Sequence, residues 1–225
     1  MLEKLEFINI SFDNLDQEAL NSLCSLKNLK ELKLHKCKSL RVDKLENWAK
    51  GLNLKSLEYN AFSHSYVASD FEFLCIIFQN SSSTLTKLVL EFKRDSDQGF
   101  TLIKDIQLYL PSLTHLELPT LYQAEVTSVF KKHTELVKFS AALANFGQWD
   151  QTLGYLGTLA PNSLQMIQFR EMISLEISSQ TLNYFLKECL NKGGKLKYLE
   201  IGGRCELSQE YFDVAKQLEV QLIKY

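Results

Sequence analysis

The side chains that most often catalyse reactions or bind metals are few and scattered in this sequence of 225 residues. The four histidines, His35, His64, His115 and His133, include no pair at the i, i+4 spacing with which one helix face offers two ligands to zinc. We interpret all four as surface histidines. His35 and His115 fall in different predicted strands, while His64 and His133 fall in loops or at helix ends.

The cysteines show no redox or metal-binding pattern. They are five in number, widely separated, and form no C-x-x-C pair: Cys24, Cys37, Cys75, Cys189 and Cys205. Most lie among apolar residues, where a thiol behaves as a small buried hydrophobic group. We therefore predict neither a disulfide framework nor a zinc site, and interpret the cysteines as packing residues.

No other motif supports catalysis. The glycine pairs 193–194 and 202–203 lack the spacing and the lysine of a phosphate-binding loop, so we interpret them as turns. No G-x-S-x-G nucleophile motif is present. Glu117 and Glu200 recur in one strand position with Glu6 and Glu58, but in repeats too far apart for an acid–base pair. We predict no catalytic residue, no cofactor and no metal, and hence no enzyme.

The strongest signal is a repeated pattern of leucine, two residues, an apolar residue, one residue and a second apolar residue. Eight copies begin near residues 2, 29, 54, 85, 113, 136, 164 and 196, each on leucine. Leucine makes up 40 of the 225 residues, so chance does not fill this slot eight times at intervals of 23 to 32 residues. Intervals averaging about 28 residues are typical of long leucine-rich repeats.

Each segment between two repeats predicts a helix, because its apolar residues recur at spacings of three and four; Phe71, Leu74, Cys75 and Phe78 share such a face. Successive strand–helix–strand connections build a parallel sheet covered by helices. The predicted fold is an α/β leucine-rich-repeat solenoid, a horseshoe arc of about eight repeats with parallel strands on the concave side and helices on the convex side. We expect one domain over residues 1–225, with residues 220–222 adding a ninth strand.

The repeats resemble a known family. The segment LKELKLHKCKSL puts Cys37 where the ribonuclease-inhibitor-like, cysteine-containing class carries cysteine, although Cys205 lies one residue late. The segments SLCSLKNLKELKLHKC, NSSSTLTKLVLEF and YLPSLTHLEL resemble the C-terminal repeats of fungal F-box proteins. The resemblance implies the substrate-recognition repeats of a ubiquitin ligase adaptor.

An F-box is absent from this sequence, which opens directly on a predicted strand at Leu2. The apolar edge of that strand suggests a fragment or truncated product of a longer protein, because solenoids normally cap their ends. The alternative is a stand-alone leucine-rich-repeat inhibitor or scaffold that binds one partner through its concave face. Under both hypotheses the partner is a protein.

Composition limits the classes of partner and the cellular location that we expect. A net charge of −2 does not favour nucleic acid or anionic membrane as a partner. No apolar stretch approaches the roughly 20 residues of a membrane span, and the N-terminus lacks the order of a signal peptide. We expect a cytoplasmic or nuclear protein that is monomeric by itself.

Residues between the apolar slots of a strand point away from the core, over the concave face. Methionine, aromatic and arginine side chains are enriched at interface hot spots, and they cluster near the C-terminal end of the predicted sheet. The predicted partner-binding residues are Met166, Gln168, Arg170, Tyr198 and Glu200, with His115 and Glu117 on the same face.

Overall fold

The computed structural model describes residues 2–61, 68–92, 98–144, 149–172, 177–203 and 206–225. The chain divides into two compact units, unit 1 over Met1–Leu113 and unit 2 over Thr114–Tyr225. The single domain over residues 1–225 stays a prediction.

Unit 1 alternates strands and helices, as the repeats predict. Its described strands are β1 (Lys4–Ile8), β2 (Glu31–Cys37), β3 (Ser56–Ala61) and β4 (Lys87–Glu91). Its described helices are α1 (Gln17–Cys24), α2 (Val42–Gly51), α3 (Ala68–Asn80) and α4 (Gln98–Tyr109). Strands that follow one another in the chain pair in parallel.

Unit 2 repeats the same arrangement. Its described strands are β5 (His115–Leu121), β6 (Lys138–Leu143), β7 (Met166–Met172), β8 (Tyr198–Gly203) and β9 (Gln221–Lys224). Its described helices are α5 (Gln123–Lys132), α6 (Trp149–Leu159), α7 (Ser179–Leu190) and α8 (Gln209–Gln217). All successive strands pair in parallel, and the expected ninth strand is present, although it starts one residue later than predicted.

The opening leucines explain why the strands form where they do. Seven of the eight are at most 4% exposed: Leu29, Leu54, Leu85, Leu113, Leu136, Leu164 and Leu196. Burying a leucine side chain stabilises the fold by roughly 1.5 to 3 kcal/mol relative to its exposed state. The α/β leucine-rich-repeat fold predicted from these residues is confirmed.

The first repeat departs from the prediction, because its opening leucine is not buried. Leu2 is 50% exposed, and Ile8 at the other end of β1 is 56% exposed. Strand β1 pairs only with β2 among the described strands, so the first repeat packs against a neighbour on one side alone. The leucine pattern therefore predicted the strand correctly and the burial of Leu2 wrongly.

Helices cover the sheet face to which the apolar slots point. In unit 2 the rings of Phe130 on α5 and Phe139 on β6 have centroids 5.1 Å apart. In unit 1 the ring of Trp48 on α2 lies 6.1 Å from that of Phe7 on β1. The opposite face of each sheet, which carries the residues between the slots, is called the open face of that unit.

Predictions about three further residues are wrong. His133 is 0% exposed and not on the surface; it directly follows α5, and its backbone N–H donates 2.9 Å to the carbonyl of Val129. Cys24 and Cys75 are only half-buried, and the thiol of Cys75 donates 3.2 Å to a carboxylate oxygen of Asp105. Cys37 and Cys189 are buried as predicted. His64 and Cys205 lie outside the described residues.

Candidate functional site

The parallel register places the predicted partner-binding residues in two rows across the open face of unit 2. One row runs over the starts of the strands and contains His115, Lys138, Met166, Tyr198 and Gln221. The next row contains Glu117, Ser140, Gln168, Glu200 and Ile223. Met166 and Tyr198 are therefore strand neighbours, and so are Gln168 and Glu200.

The other two predicted residues lie on the same face but apart from this group. His115 and Glu117 are on β5, and β6 separates them from the residues on β7. The Nδ1 atom of His115 is 2.9 Å from the hydroxyl of Thr114, and Nζ of Lys138 is 2.7 Å from a carboxylate oxygen of Glu117. Both side chains thus have partners on neighbouring residues.

Strand β6 carries small open-face residues, and the neighbouring side chains cover them. Ser140 is 0% exposed and Ala142 is 7% exposed. Arg170, paired with Ala142, reaches from β7 across β6, where its Nη2 donates 2.6 Å to the carbonyl of Leu118 on β5. Arg170 therefore links β7 to β5 across β6, a role that its position in the sequence does not reveal.

A chain of hydrogen bonds fixes the polar part of the group. The hydroxyl of Ser140 donates 2.7 Å to Oε1 of Gln168, whose Nε2 in turn donates 2.8 Å to Oε2 of Glu200. Both ends of the Gln168 amide are thus used. Its orientation, and that of the Glu200 carboxylate, is set before any partner arrives.

Two exposed tyrosines stand beside this network. Tyr198 on β8 is 42% exposed, and Tyr225, which follows β9, is 57% exposed. The Tyr225 ring lies over Gly202, where an added Cβ would come within 2.8 Å of its Cζ. Gly202 is thus a strand residue against which the Tyr225 ring packs, and it is not part of the predicted turn.

Tyr225 belongs to the site although the sequence did not single it out. Burial raises the pKa of its hydroxyl above the ordinary value of 10.0, and the charge of Glu200 raises it further. The charge of Arg170 and a hydrogen bond with Gln168 oppose this rise. The signal was β9 itself, because continuing its register one residue past Lys224 puts Tyr225 beside Gly202.

The open face of unit 1 is built from ion pairs. Nζ of Lys4 is 2.8 Å from a carboxylate oxygen of Glu31, and Glu58 lies between Lys33 at 2.9 Å and Lys87 at 2.6 Å. Burial raises the pKa of Glu58, but hydrogen bonds from the two lysines outweigh it and leave the pKa below 4.5. These residues hold one another across neighbouring strands.

Other site classes find no support in the described ranges. They contain no group of three or more histidine, cysteine, aspartate or glutamate residues that could hold a metal ion. Nor is any of their helices both long enough and apolar enough to cross a membrane.

Comparison with solved structures agrees with the repeat architecture. The leucine-rich repeat-containing protein LegL7 from Legionella pneumophila is similar, with a TM-score of 0.52 and 15% sequence identity; the match covers 99% of this chain and 82% of that one. No protein-family model and no curated protein sequence matches the chain significantly. At this identity the likeness shows the leucine-rich-repeat fold alone.

Proposed function

We propose that this chain is a non-enzymatic protein-interaction module that binds a protein partner through the open face of unit 2. The observation that carries the proposal is the pairing of exposed Tyr198 with half-buried Met166, beside the Gln168 amide that is hydrogen-bonded at both ends. Tyrosine buries a large amphipathic surface on few rotatable bonds, so ordering it on binding costs little entropy.

Preorganisation supports the choice of this face. Gln168 is held from both sides, and Arg170 is tied to the backbone of Leu118. Side chains that are already ordered lose less freedom on association, a loss that otherwise costs about 0.5 to 1.5 kcal/mol for each flexible side chain. Glu200 and the two tyrosines then supply directional and apolar contacts.

At a finer level, we propose that the chain is the substrate-recognition repeat region of an F-box-type ubiquitin ligase adaptor. The support is the resemblance of its repeat segments to those of fungal F-box proteins. The bound partner is then a substrate of the ligase, in the cytoplasm or nucleus. The competing proposal is a stand-alone inhibitor or scaffold of the same fold.

Affinity capture from cells that express the protein tests both levels. The unchanged chain and a Met166→Ala/Tyr198→Ala double variant are used as baits, and the captured proteins are quantified by mass spectrometry. We expect a defined set of proteins to fall at least about tenfold with the double variant, the scale of a hot-spot loss. Retention of every captured protein by the double variant would contradict the proposed face.

The matched control is Lys33→Ala/Lys87→Ala, which removes two half-buried side chains from the open face of unit 1. It should retain the captured set. For the finer proposal, the full-length gene product is used as bait: ligase scaffold subunits captured with the substrate support the adaptor. A single captured enzyme without any ligase subunit supports the inhibitor instead.

A further inference from the structure

We infer that the partner segment docking on unit 2 is basic, with a lysine or arginine side chain bound to the Glu200 carboxylate between Tyr198 and Tyr225. This inference rests on the proposed function and names the chemistry of its partner. It follows from three features of the open face of unit 2. These are the hydrogen bond at the Glu200 carboxylate in place of an ion pair, the rings on either side of it, and the partners of the neighbouring cations.

The carboxylate of Glu200 differs from those of three other open-face glutamates. Glu31, Glu58 and Glu117 each have a lysine Nζ within 2.9 Å. Among the described residues, Glu200 has no such ion pair, and its Oε2 accepts a hydrogen bond from the neutral amide of Gln168. One carboxylate oxygen is thus positioned while the charge is left to be matched by a cation from a partner.

Aromatic rings flank that carboxylate along the strand. Tyr198 precedes Glu200 by two residues on the same face of β8, and Gly202, which carries the Tyr225 ring, follows by two. A separation of two strand residues is about 7 Å. A lysine or arginine stem can therefore lie against either ring while its cationic head reaches Glu200, which combines an ion pair with cation–π contact.

The two neighbouring cations both have a partner on β5, although the charge of Arg170 also acts on the Tyr225 hydroxyl. Arg170 extends away from β8 to the carbonyl of Leu118 on β5, and Lys138 is paired with Glu117 on the same far side. Neither cation forms an ion pair with Glu200 among the described residues. The Glu200 carboxylate, between Tyr198 and the Tyr225 ring, is therefore where we place the incoming positive charge.

A displayed library of random peptides, selected on the intact chain, tests the inference. We expect the selected peptides to carry an excess of lysine or arginine over the unselected library. For one such peptide, Glu200→Gln should weaken binding about fivefold at low salt, the upper range for an exposed ion pair. The matched control Glu31→Gln, on the open face of unit 1 and already paired with Lys4, should bind the peptide as the unchanged chain does.

A double-mutant cycle separates a direct contact from an indirect one. Replacing the basic residue of the peptide by glutamine should cost the same factor on the unchanged chain and almost nothing on Glu200→Gln, because the two changes remove one interaction. Equal thermal midpoints of the variants show that folding is intact. Tyr225→Ala should also weaken binding of the peptide, because it removes a ring against which the basic side chain lies. Glu200 itself stays in place in this variant.

The outcomes distinguish this inference from the proposed function. If the selected peptides lose binding to Tyr198→Ala but show no excess of lysine or arginine, the proposed binding face is supported and the basic partner is contradicted. A cycle with independent costs at the two positions also overturns it, as does a selection that yields no binding peptide. Basic peptides unaffected by Tyr198→Ala, Glu200→Gln and Tyr225→Ala alike would contradict the proposed function itself.

Discussion

The open faces of the two units are built on the same backbone and differ in chemistry. In unit 1 the rows between the apolar slots form a ladder of lysine–glutamate pairs, centred on Glu58 between Lys33 and Lys87. In unit 2 the corresponding rows carry Met166 and Tyr198 beside an amide–carboxylate chain. The apolar slots beneath them are leucine-rich and buried in both.

The contrast separates what specifies the fold from what specifies binding. Core slots are restricted to apolar residues of suitable volume, so they are alike throughout the repeats. Open-face residues are free of that restriction and can differ from strand to strand. Paired charges on unit 1 meet their partners within the chain, whereas unit 2 has two exposed tyrosines and, in Glu200, a carboxylate with no ion pair among the described residues.

The largest expected effect tests the division between slot and face within one strand. Leu116→Ala should lower the free energy of unfolding by about 2 to 5 kcal/mol, because the leucine is fully buried and truncation leaves a cavity. Glu117→Ala, one residue along, should cost only about 1 kcal/mol, because it removes no core contact and loses only a half-buried pair with Lys138. Denaturant titration of both variants measures the difference. Equal losses would contradict the strand assignment.

A smaller effect is expected from a buried carboxyl in unit 1. Asp70 is 7% exposed and accepts hydrogen bonds from the N–H of Leu40, at 3.2 Å, and the hydroxyl of Tyr59, at 2.9 Å. Asp70→Ala removes both buried hydrogen bonds, which should cost about 1 to 3 kcal/mol in the free energy of unfolding. Chemical denaturation at neutral pH gives the value, and no loss would show that neither bond stabilises the fold.

The same residue gives unit 1 a pH dependence of predictable sign. Burial raises the pKa of Asp70 above 3.8, although hydrogen bonds from Tyr59 and Leu40 oppose the rise. The folded state therefore keeps a proton that the unfolded state has already released, so the free energy of unfolding falls as pH rises from 3.8 through the folded-state pKa. Asp70→Asn should flatten the unfolding free energy over this interval. A steeper dependence in Asp70→Asn would contradict the sign.

The ladder of unit 1 should show the opposite sign and the smallest size. The pKa of Glu58 lies below 4.5, so its pairs stabilise the fold above that pH, and their contribution is lost as pH falls through the folded-state value. Glu58→Gln should lower the free energy of unfolding by about 1 kcal/mol near neutral pH and by less in acid or high salt. A loss that is the same at every salt concentration would show that the ladder does not act through charge.

The sequence predicted the strands well because the leucine slots obey one local rule. A leucine two positions before the strand start, as at Leu29 or Leu164, marks a backbone position that is buried when repeats pack on both sides. The same rule failed at Leu2, because burial also needs a neighbouring repeat on each side. The interpretation of His133 as a surface residue was wrong for another reason, because its burial depends on how α5 ends.

The site was predictable only as a set of positions. Alternation along the strands placed Met166 beside Tyr198 and Gln168 beside Glu200, and the register has these pairs. The reach of Arg170 to Leu118 and the seat of Tyr225 on Gly202 depend on side-chain paths across several strands. Such contacts join residues far apart in the chain, and no local pattern encodes them.

Site-specific photo-crosslinking compares the two open faces most directly. A photoreactive phenylalanine derivative is placed at position 198 in one sample and at position 33 in another, and each is irradiated with the captured partner. We expect the partner to cross-link from position 198 in unit 2 and not from position 33 in unit 1. Cross-linking from position 33 alone, or equally from both, would contradict binding through the open face of unit 2.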